Sequence, residues 1–144
     1  MFWITYRALS DPERLPERIP THYGFNGQPN TWGSPTMVWL LPIIAVVIYL
    51  SMTVVARFPS SFNYPVRVTE ENRERLEALA LQMLVFLKVE TVWLFVWVQW
   101  SILEAARQGR WSWAPVLVPL FVLTIIATAL GHVVAMVRAA RPRA

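Results

Sequence analysis

The sequence predicts an all-α membrane protein with about three transmembrane helices and a Pro/Gly-rich N-terminal loop. Two observations predict this fold class: 56% of the 144 residues are hydrophobic while 15% are charged, and the chain contains eight Trp. Both lie outside the usual composition of soluble domains. The expected organisation is a Pro/Gly-rich segment at residues 1–36, a three-helix transmembrane domain at 37–137 and a basic tail at 138–144.

Three windows meet the requirement of about 20 apolar residues for a helix that crosses roughly 30 Å of hydrocarbon. They cover residues 37–57, about 79–103 and about 115–137. The first contains no acidic or basic residue before Arg57, and the third contains none. Uncharged stretches of this length favour membrane spans over helices of a soluble core.

The first 36 residues are punctuated by Pro and Gly, which excludes one continuous helix and favours turns and extended pieces. Asn26 followed by Gly27 indicates a turn. A short apolar patch suited to the membrane interface precedes them; it consists of Phe2, Trp3, Ile4 and Tyr6. The patch is too short, and too soon interrupted by Arg7, to act as a signal peptide.

The second span is expected to belong to a longer helix that begins at Thr69 as N-cap and runs to about Ala106. At 1.5 Å per residue this helix is about 55 Å long, so it should protrude from the bilayer. Two ion pairs at i,i+4 spacing should support its first turns. They are Glu71 with Arg75 and Arg73 with Glu77. In the third span, Pro119 should loosen or kink the helix.

Twelve of the thirteen basic residues are Arg in the loops and tails that flank the spans, so the net charge of +4 indicates topology and does not indicate nucleic acid. Seven Arg fall on one side: Arg57, Arg67, Arg73, Arg75, Arg138, Arg141 and Arg143. Five fall on the other: Arg7, Arg14, Arg18, Arg107 and Arg110. The positive-inside rule then predicts a multi-pass protein of the cell membrane with the 58–78 loop and C-terminus cytoplasmic and the N-terminal loop extracytoplasmic.

Trp side chains prefer the interface between membrane and water, and six of the eight fall near the predicted outer ends of the spans. They are Trp32, Trp39, Trp97, Trp100, Trp111 and Trp113. This belt sets the depth of that end of the bundle.

Polar residues inside the spans are candidates for function, because a charge at the bilayer centre costs about 2.5–3.5 kcal/mol on insertion scales. On a helical wheel Lys88 shares a face with Gln99, whereas Glu90 lies on the nearly opposite face. The third span carries a polar stripe at spacings of four: Thr124, Thr128 and His132. We expect Glu90 to pair with His132, either for proton or ligand coupling or only for packing. Lys88 either faces a second partner or extends its stem to the headgroups.

The residue types that most often act in catalysis or bind metals are few in this chain. It has no Cys, two His and one Asp, and no Gly-rich phosphate loop follows a strand, so no catalytic residue, metal site or cofactor is expected. His22 in the N-terminal loop is expected to be a hydrogen-bonded structural residue, with a ligand role as the alternative.

LPERIPTHYGFNGQPNTWGSP (residues 15–35) resembles the signature of the membrane domain of unknown function at the N-terminus of SdpI-type immunity proteins. The matching positions are Leu15, Pro16, Ile19, Pro20, His22, Tyr23, Gly27, Trp32, Gly33 and Ser34. FNYPVRVTEEN (62–72) and the LK-x-E and QW motifs that follow it are similar to the cytoplasmic loop and second half of shorter, stand-alone members. The resemblance therefore covers about residues 12–105. Asn30 replaces the usual Asp and removes a negative charge.

This resemblance implies a membrane architecture with an outward-facing loop. Members usually carry a transmembrane helix before the LP motif, and fourteen residues precede it here, so either that helix is lost or the start lies upstream. SdpI-type proteins protect a cell from a secreted toxic peptide and relay its presence. The leading interpretation is a non-enzymatic binding or sensory module, or an accessory subunit that packs against the lipid bilayer and other membrane helices in a homo- or hetero-oligomer. The alternatives are an SdpI-type immunity or relay protein, and a membrane enzyme or transporter using Glu90 and His132.

Overall fold

The computed structural model describes residues 1–11, 15–24, 28–108 and 114–141. Its elements are α1 (Phe2–Leu9), β1 (Ile19–Tyr23), β2 (Pro29–Gly33), α2 (Leu40–Val55), α3 (Arg73–Gln108) and α4 (Ala114–Ala139). Two 3₁₀ turns, Pro35–Trp39 and Pro59–Ser61, precede and follow α2.

Three of the helices are long and apolar enough to cross a membrane. The candidate spans are Pro35–Val55, Arg73–Arg107 and Leu117–Ala139, with mean hydropathies of 2.5, 1.8 and 2.3. The predicted fold class is therefore confirmed, and the three spans fit a multi-pass membrane protein. Pro119 lies inside α4, which continues through it as one helix.

The N-terminal segment is more regular than the predicted loop. The apolar patch at the N-terminus is helix α1, which buries Thr5 and Ala8 on one face and exposes Trp3 and Tyr6 on the other. The extended pieces pair as an antiparallel hairpin of β1 and β2. The predicted turn at Asn26 and Gly27 lies outside the described residues.

The start of α3 departs from the prediction. Regular helix begins at Arg73, and Thr69 does not cap it with its hydroxyl. Asn72 makes one of the two hydrogen bonds of a capping box. Its Oδ1 accepts from the Thr69 N–H at 2.8 Å, as the side chain three residues after the N-cap does in that motif. The Arg73–Glu77 pair is present at 3.9 Å, whereas the expected Glu71–Arg75 pair is not formed.

Two hydrophobic clusters lie at opposite ends of α3. At its C-terminal end, α1, the hairpin and the 3₁₀ turn pack on the helix through Ala8, Ile19, Val38, Leu103 and Ala106. We call this end the cap. At the N-terminal end of α3, the cluster consists of Leu76, Ala80 and Met136, covered by the linker between α2 and α3 through side chains that include Phe62, Tyr64, Val66 and Val68. We call this the linker end.

Little is buried between these two clusters. Only 6% of the most apolar window of α3, and 6% of that of α4, is buried within the chain. The exposed residues there are mainly large and apolar, such as Val85, Trp93, Leu123 and Leu130. A surface of this kind is suited to hydrocarbon, and most of the middle length of the described helices is left uncovered within the chain.

The described part of the predicted Trp belt lies at the cap end. Trp32 is in β2, Trp39 ends the 3₁₀ turn, and Trp97 and Trp100 occupy the last turns of α3 with ring centroids 5.1 Å apart. Trp111 and Trp113 lie outside the described residues.

Candidate functional site

The LP-x-x-IP motif builds the hairpin and attaches it to α3. Ile19 is 1% exposed within the cap cluster, Leu15 packs against that cluster, and Pro20 is buried, while Pro16 is exposed. The strand register pairs Ile19 with Gly33 and Pro20 with Trp32. These positions therefore have a structural role.

Gly33 is closely packed by two side chains. A Cβ atom there would lie 2.6 Å from Met37 Sδ and 2.8 Å from Thr21 Cγ2, so no larger residue fits without movement. Ser34 follows and its Oγ accepts from the Thr36 N–H, which starts the 3₁₀ turn. The motif thus fixes where the hairpin ends and the first span begins.

His22 lies on the exposed side of the hairpin. Its Nδ1 donates to Asn30 Oδ1 at 2.6 Å across the strands, where the register is irregular on both sides of His22. This agrees with the structural interpretation of His22. The backbone of Tyr23 pairs with Pro29, and Gly27 lies outside the described residues.

Gln99 connects the cap to the first span. It is 1% exposed, and its Nε2 donates to Thr5 Oγ1 at 2.8 Å and to the Val38 carbonyl at 3.1 Å. Pro42, four positions after Val38, has no N–H and so cannot donate an α-helical hydrogen bond to that carbonyl. Gln99 therefore provides this carbonyl with a donor from a neighbouring helix.

Lys88 faces α2. Its Nζ donates to Thr53 Oγ1 at 3.1 Å and lies 4.8 Å from the centroid of the Tyr49 ring. Thr53 in turn donates to the Tyr49 carbonyl. The expected contact with headgroups or a second protein is replaced by an amphipathic contact within the chain, in which a ring face and a hydroxyl stabilise the ammonium.

Glu90 lies on the other side of α3 and faces α4. Thr128 donates its hydroxyl to Glu90 Oε1 at 2.6 Å, while the His132 Nδ1–H donates to the Thr128 carbonyl at 2.8 Å. The expected direct Glu90–His132 pair is thus replaced by two contacts to different atoms of Thr128. Thr124, the third member of the stripe, donates to the Leu120 carbonyl in its own helix.

Two acceptors remain unused at this contact. Glu90 Oε2 is buried without a hydrogen-bond partner. His132 uses Nδ1 for the Thr128 carbonyl, so its Nε2 remains available, and the ring lies 5.7 Å from that of Phe86. Within the described residues, no continuous chain of hydrogen bonds joins the Glu90 carboxyl group to the His132 imidazole. Glu90 contacts the hydroxyl of Thr128, whereas His132 contacts its carbonyl, and these are separate groups.

A groove of about 370 Å³ runs along the α3–α4 surface beside His132. Its α4 wall carries small residues at spacings of four: Ala127, Gly131 and Ala135. A Cβ added to Gly131 would meet nothing within 4 Å, so this wall is uncovered within the described chain. The groove also contains Leu79, Gln82, Phe86, Thr128 and His132.

The predicted polar residues thus form three separate contacts around α3. Lys88 contacts α2, Gln99 contacts the cap, and Glu90 contacts α4. The division of Lys88 and Gln99 from Glu90 follows the predicted helical wheel. Their partners Thr5, Tyr49 and Thr53 were not predicted, since ordinary hydroxyl and aromatic residues carry no distinctive pattern. The small-residue spacing in α4 was visible in the sequence and was not used.

Comparison with known proteins finds a family match in the N-terminal part of the chain. Residues 2–46 match the family described as Domain of unknown function (DUF1648), a segment that includes α1, the hairpin and the start of α2. The chain is also similar to an uncharacterized protein of Archaeoglobus fulgidus: the two are 26% identical over an aligned length of 144, which covers 90% of this chain and 76% of that protein. No solved structure matches the chain with significant similarity.

Proposed function

We propose that this protein is a non-enzymatic accessory subunit of a membrane assembly, and that its α3–α4 groove receives a transmembrane helix of a different protein. The observation that carries the proposal is the uncovered wall of Ala127, Gly131 and Ala135. Small residues at this spacing let two helix backbones approach closely in a membrane, where packing and hydrogen bonds drive association.

The polar content of the groove favours a partner helix that carries a hydrogen-bond donor. His132 presents an acceptor, Nε2, beside the small-residue wall. A partner helix with a hydroxyl, amide or indole donor satisfies the imidazole.

The test is site-specific photo-crosslinking in the native membrane followed by mass spectrometry. A photoreactive residue at Ala135 should attach to a helix of another membrane protein, and Gly131→Leu should abolish the product. Val134→Phe is the matched control, because it also adds four carbon atoms but lies at an exposed position outside the groove. Crosslinking only to lipid or a second copy, or equal loss in both variants, would contradict the proposal.

The proposed orientation places the hairpin outside and the linker and C-terminus in the cytoplasm of a cell. Among the described residues, six Arg lie at the linker end and three at the cap end. The chain has no Cys, so single cysteines report accessibility cleanly. Thr31→Cys should react with an impermeant thiol reagent in intact cells, and Ser60→Cys only after permeabilisation; the reverse pattern would invert the orientation.

The resemblance of residues 15–35 to the N-terminal domain of SdpI-type proteins suggests a second candidate, an SdpI-type immunity or relay protein. Its test is survival of expressing cells exposed to an exported toxic peptide. Full protection by the Gly131→Leu variant would separate this function from helix docking. A transporter or enzyme using Glu90 and His132 is less well supported, since the two side chains meet different groups of Thr128. Loss of proton-coupled uptake on Glu90→Gln would favour it.

A further inference from the structure

A second cavity lies at the linker end, where the segment before α3 meets the end of α4. It measures about 470 Å³ and is lined by Arg67, Thr69, Glu71, Asn72, Arg75 and Arg141, together with Ala139 and Ala140. Arg141 lies two residues beyond α4, and Arg75 lies one turn before the predicted apolar window of α3. The cavity is therefore at the level where a span leaves the hydrocarbon.

Three arginines from three segments converge on this cavity. Within the described part of the chain, the side chains of Arg67, Arg75 and Arg141 make no ion pair, in contrast to Arg73, which pairs with Glu77. Glu71 is the one carboxylate in the lining, so three positive charges against one negative leave a net charge of +2. Uncompensated guanidinium groups at close quarters repel one another and favour an anion between them.

The backbone on one side of the cavity is held in place by a buried side chain. Asn72 is 6% exposed; its Nδ2 donates to the Arg67 carbonyl at 3.1 Å, and its Oδ1 accepts from the Thr69 N–H. Val66 and Val68 pack into the cluster at the linker end, so the intervening Arg67 is turned outward. One buried amide thus holds the linker against the start of α3.

We propose that this cavity binds the phosphate-bearing headgroup of an anionic phospholipid. Guanidinium groups match phosphate oxygens in a bidentate geometry, and basic pockets between transmembrane helices are suited to anionic headgroups. Lipid is the phosphate source already present at this depth. The site is separate from the α3–α4 groove, and its occupation does not depend on the proposed accessory function.

The test is lipid binding to the purified full chain in a neutral detergent, measured by native mass spectrometry with phosphatidylglycerol and phosphatidylcholine. The wild type should retain phosphatidylglycerol preferentially. Replacing both Arg67 and Arg75 by Gln should weaken its binding about 10- to 30-fold, because each direct guanidinium–phosphate contact at a partly exposed site is worth up to about a factor of five.

The matched control replaces Arg57 and Arg138 by Gln, which removes the same charge at the same end from exposed residues outside the cavity. It should leave the preference within about threefold of the wild type. Equal loss in both double variants, or equal retention of the two lipids by the wild type, would overturn the proposal. Inorganic phosphate at matched concentration should compete weakly; equal affinity for phosphate alone would overturn the assignment to lipid.

Discussion

Replacing Gln99 by Leu tests whether one buried amide holds the cap on the bundle. The substitution keeps the size of the side chain but removes the two hydrogen bonds to Thr5 and the Val38 carbonyl. Hydrogen bonds between membrane helices average about 0.6 kcal/mol and reach about 1.7 kcal/mol, so two are worth about 1–3 kcal/mol. Removing the unpaired Gln99 Oε1 offsets part of that loss, which leaves about 1–2 kcal/mol.

A loss of this size should increase the open population of the cap about 5- to 30-fold. Hydrogen exchange of the α1 and hairpin amides in detergent, read by mass spectrometry, measures that population directly. Gln82→Leu is the control, since Gln82 is an exposed glutamine of the same helix. A double-mutant cycle with Thr5→Val should give a coupling of about 0.6 kcal/mol.

Two results would refute this reasoning. Equal acceleration of exchange at residues 2–9 in Gln99→Leu and Gln82→Leu would show that the change in polarity matters and the hydrogen bonds do not. Additive effects of Gln99→Leu and Thr5→Val would show that the two side chains are not coupled.

Further predictions concern the two helix contacts, the hairpin and pH. Thr128→Val should destabilise the chain by about 1–3 kcal/mol in denaturant titration because it leaves both oxygens of Glu90 without a donor, and an unchanged midpoint would contradict the contact. Lys88→Met should be neutral or stabilising in the same assay, since the Thr53 hydroxyl keeps its backbone acceptor. Gly33→Ala should lower the free energy of unfolding by about 1–3 kcal/mol through overpacking. Gly131→Ala should raise the free energy of unfolding by up to about 1 kcal/mol, because Ala has the higher helix propensity. Burial, and secondarily Glu77, raises the pKa of the Tyr64 phenol, with Arg73 opposing. The unfolded chain therefore ionises first, so the stability due to Tyr64 is complete below about pH 10 and is lost above it. The free energy of unfolding of the Tyr64→Phe variant should therefore fall less above about pH 10 than that of the wild type.

The number of spans was predictable because length and hydropathy are local properties. The separation of Lys88 and Gln99 from Glu90 was also predictable, since it depends only on 100° per residue along one straight helix. Both conclusions agree with the described helices, in which opposite faces of α3 contact α2 and α4.

The partners of these residues could not be predicted, because they depend on the axial offset between helices that are distant in sequence. A shift of one turn exchanges Thr128 for His132 as the neighbour of Glu90, and this is the difference between the predicted pair and the observed contact. The same offset placed a hydroxyl and an aromatic ring beside Lys88 within the chain. Both charged residues of α3 thus have partners within the chain, whereas the wall around Gly131 is uncovered.

The cap was underestimated for a different reason. Pro and Gly excluded a long helix, but an eight-residue helix and a five-residue strand gain stability mainly from tertiary contacts. Ile19 and Ala8 give no signal until α3 supplies the surface against which they pack.

The position of the two hydrophobic clusters has a consequence for how this protein resists unfolding. Apolar burial is favourable only where water is the alternative, and inside the bilayer the alternative is lipid. The cap cluster and the linker-end cluster lie at the two ends of α3, where water is accessible, and the middle of the helices gains little from burial. The apolar packing that stabilises the bundle is thus concentrated at its two ends. Water-soluble denaturants should release the ends while the spans remain inserted, so loss of the folded arrangement and loss of the membrane topology are separate events.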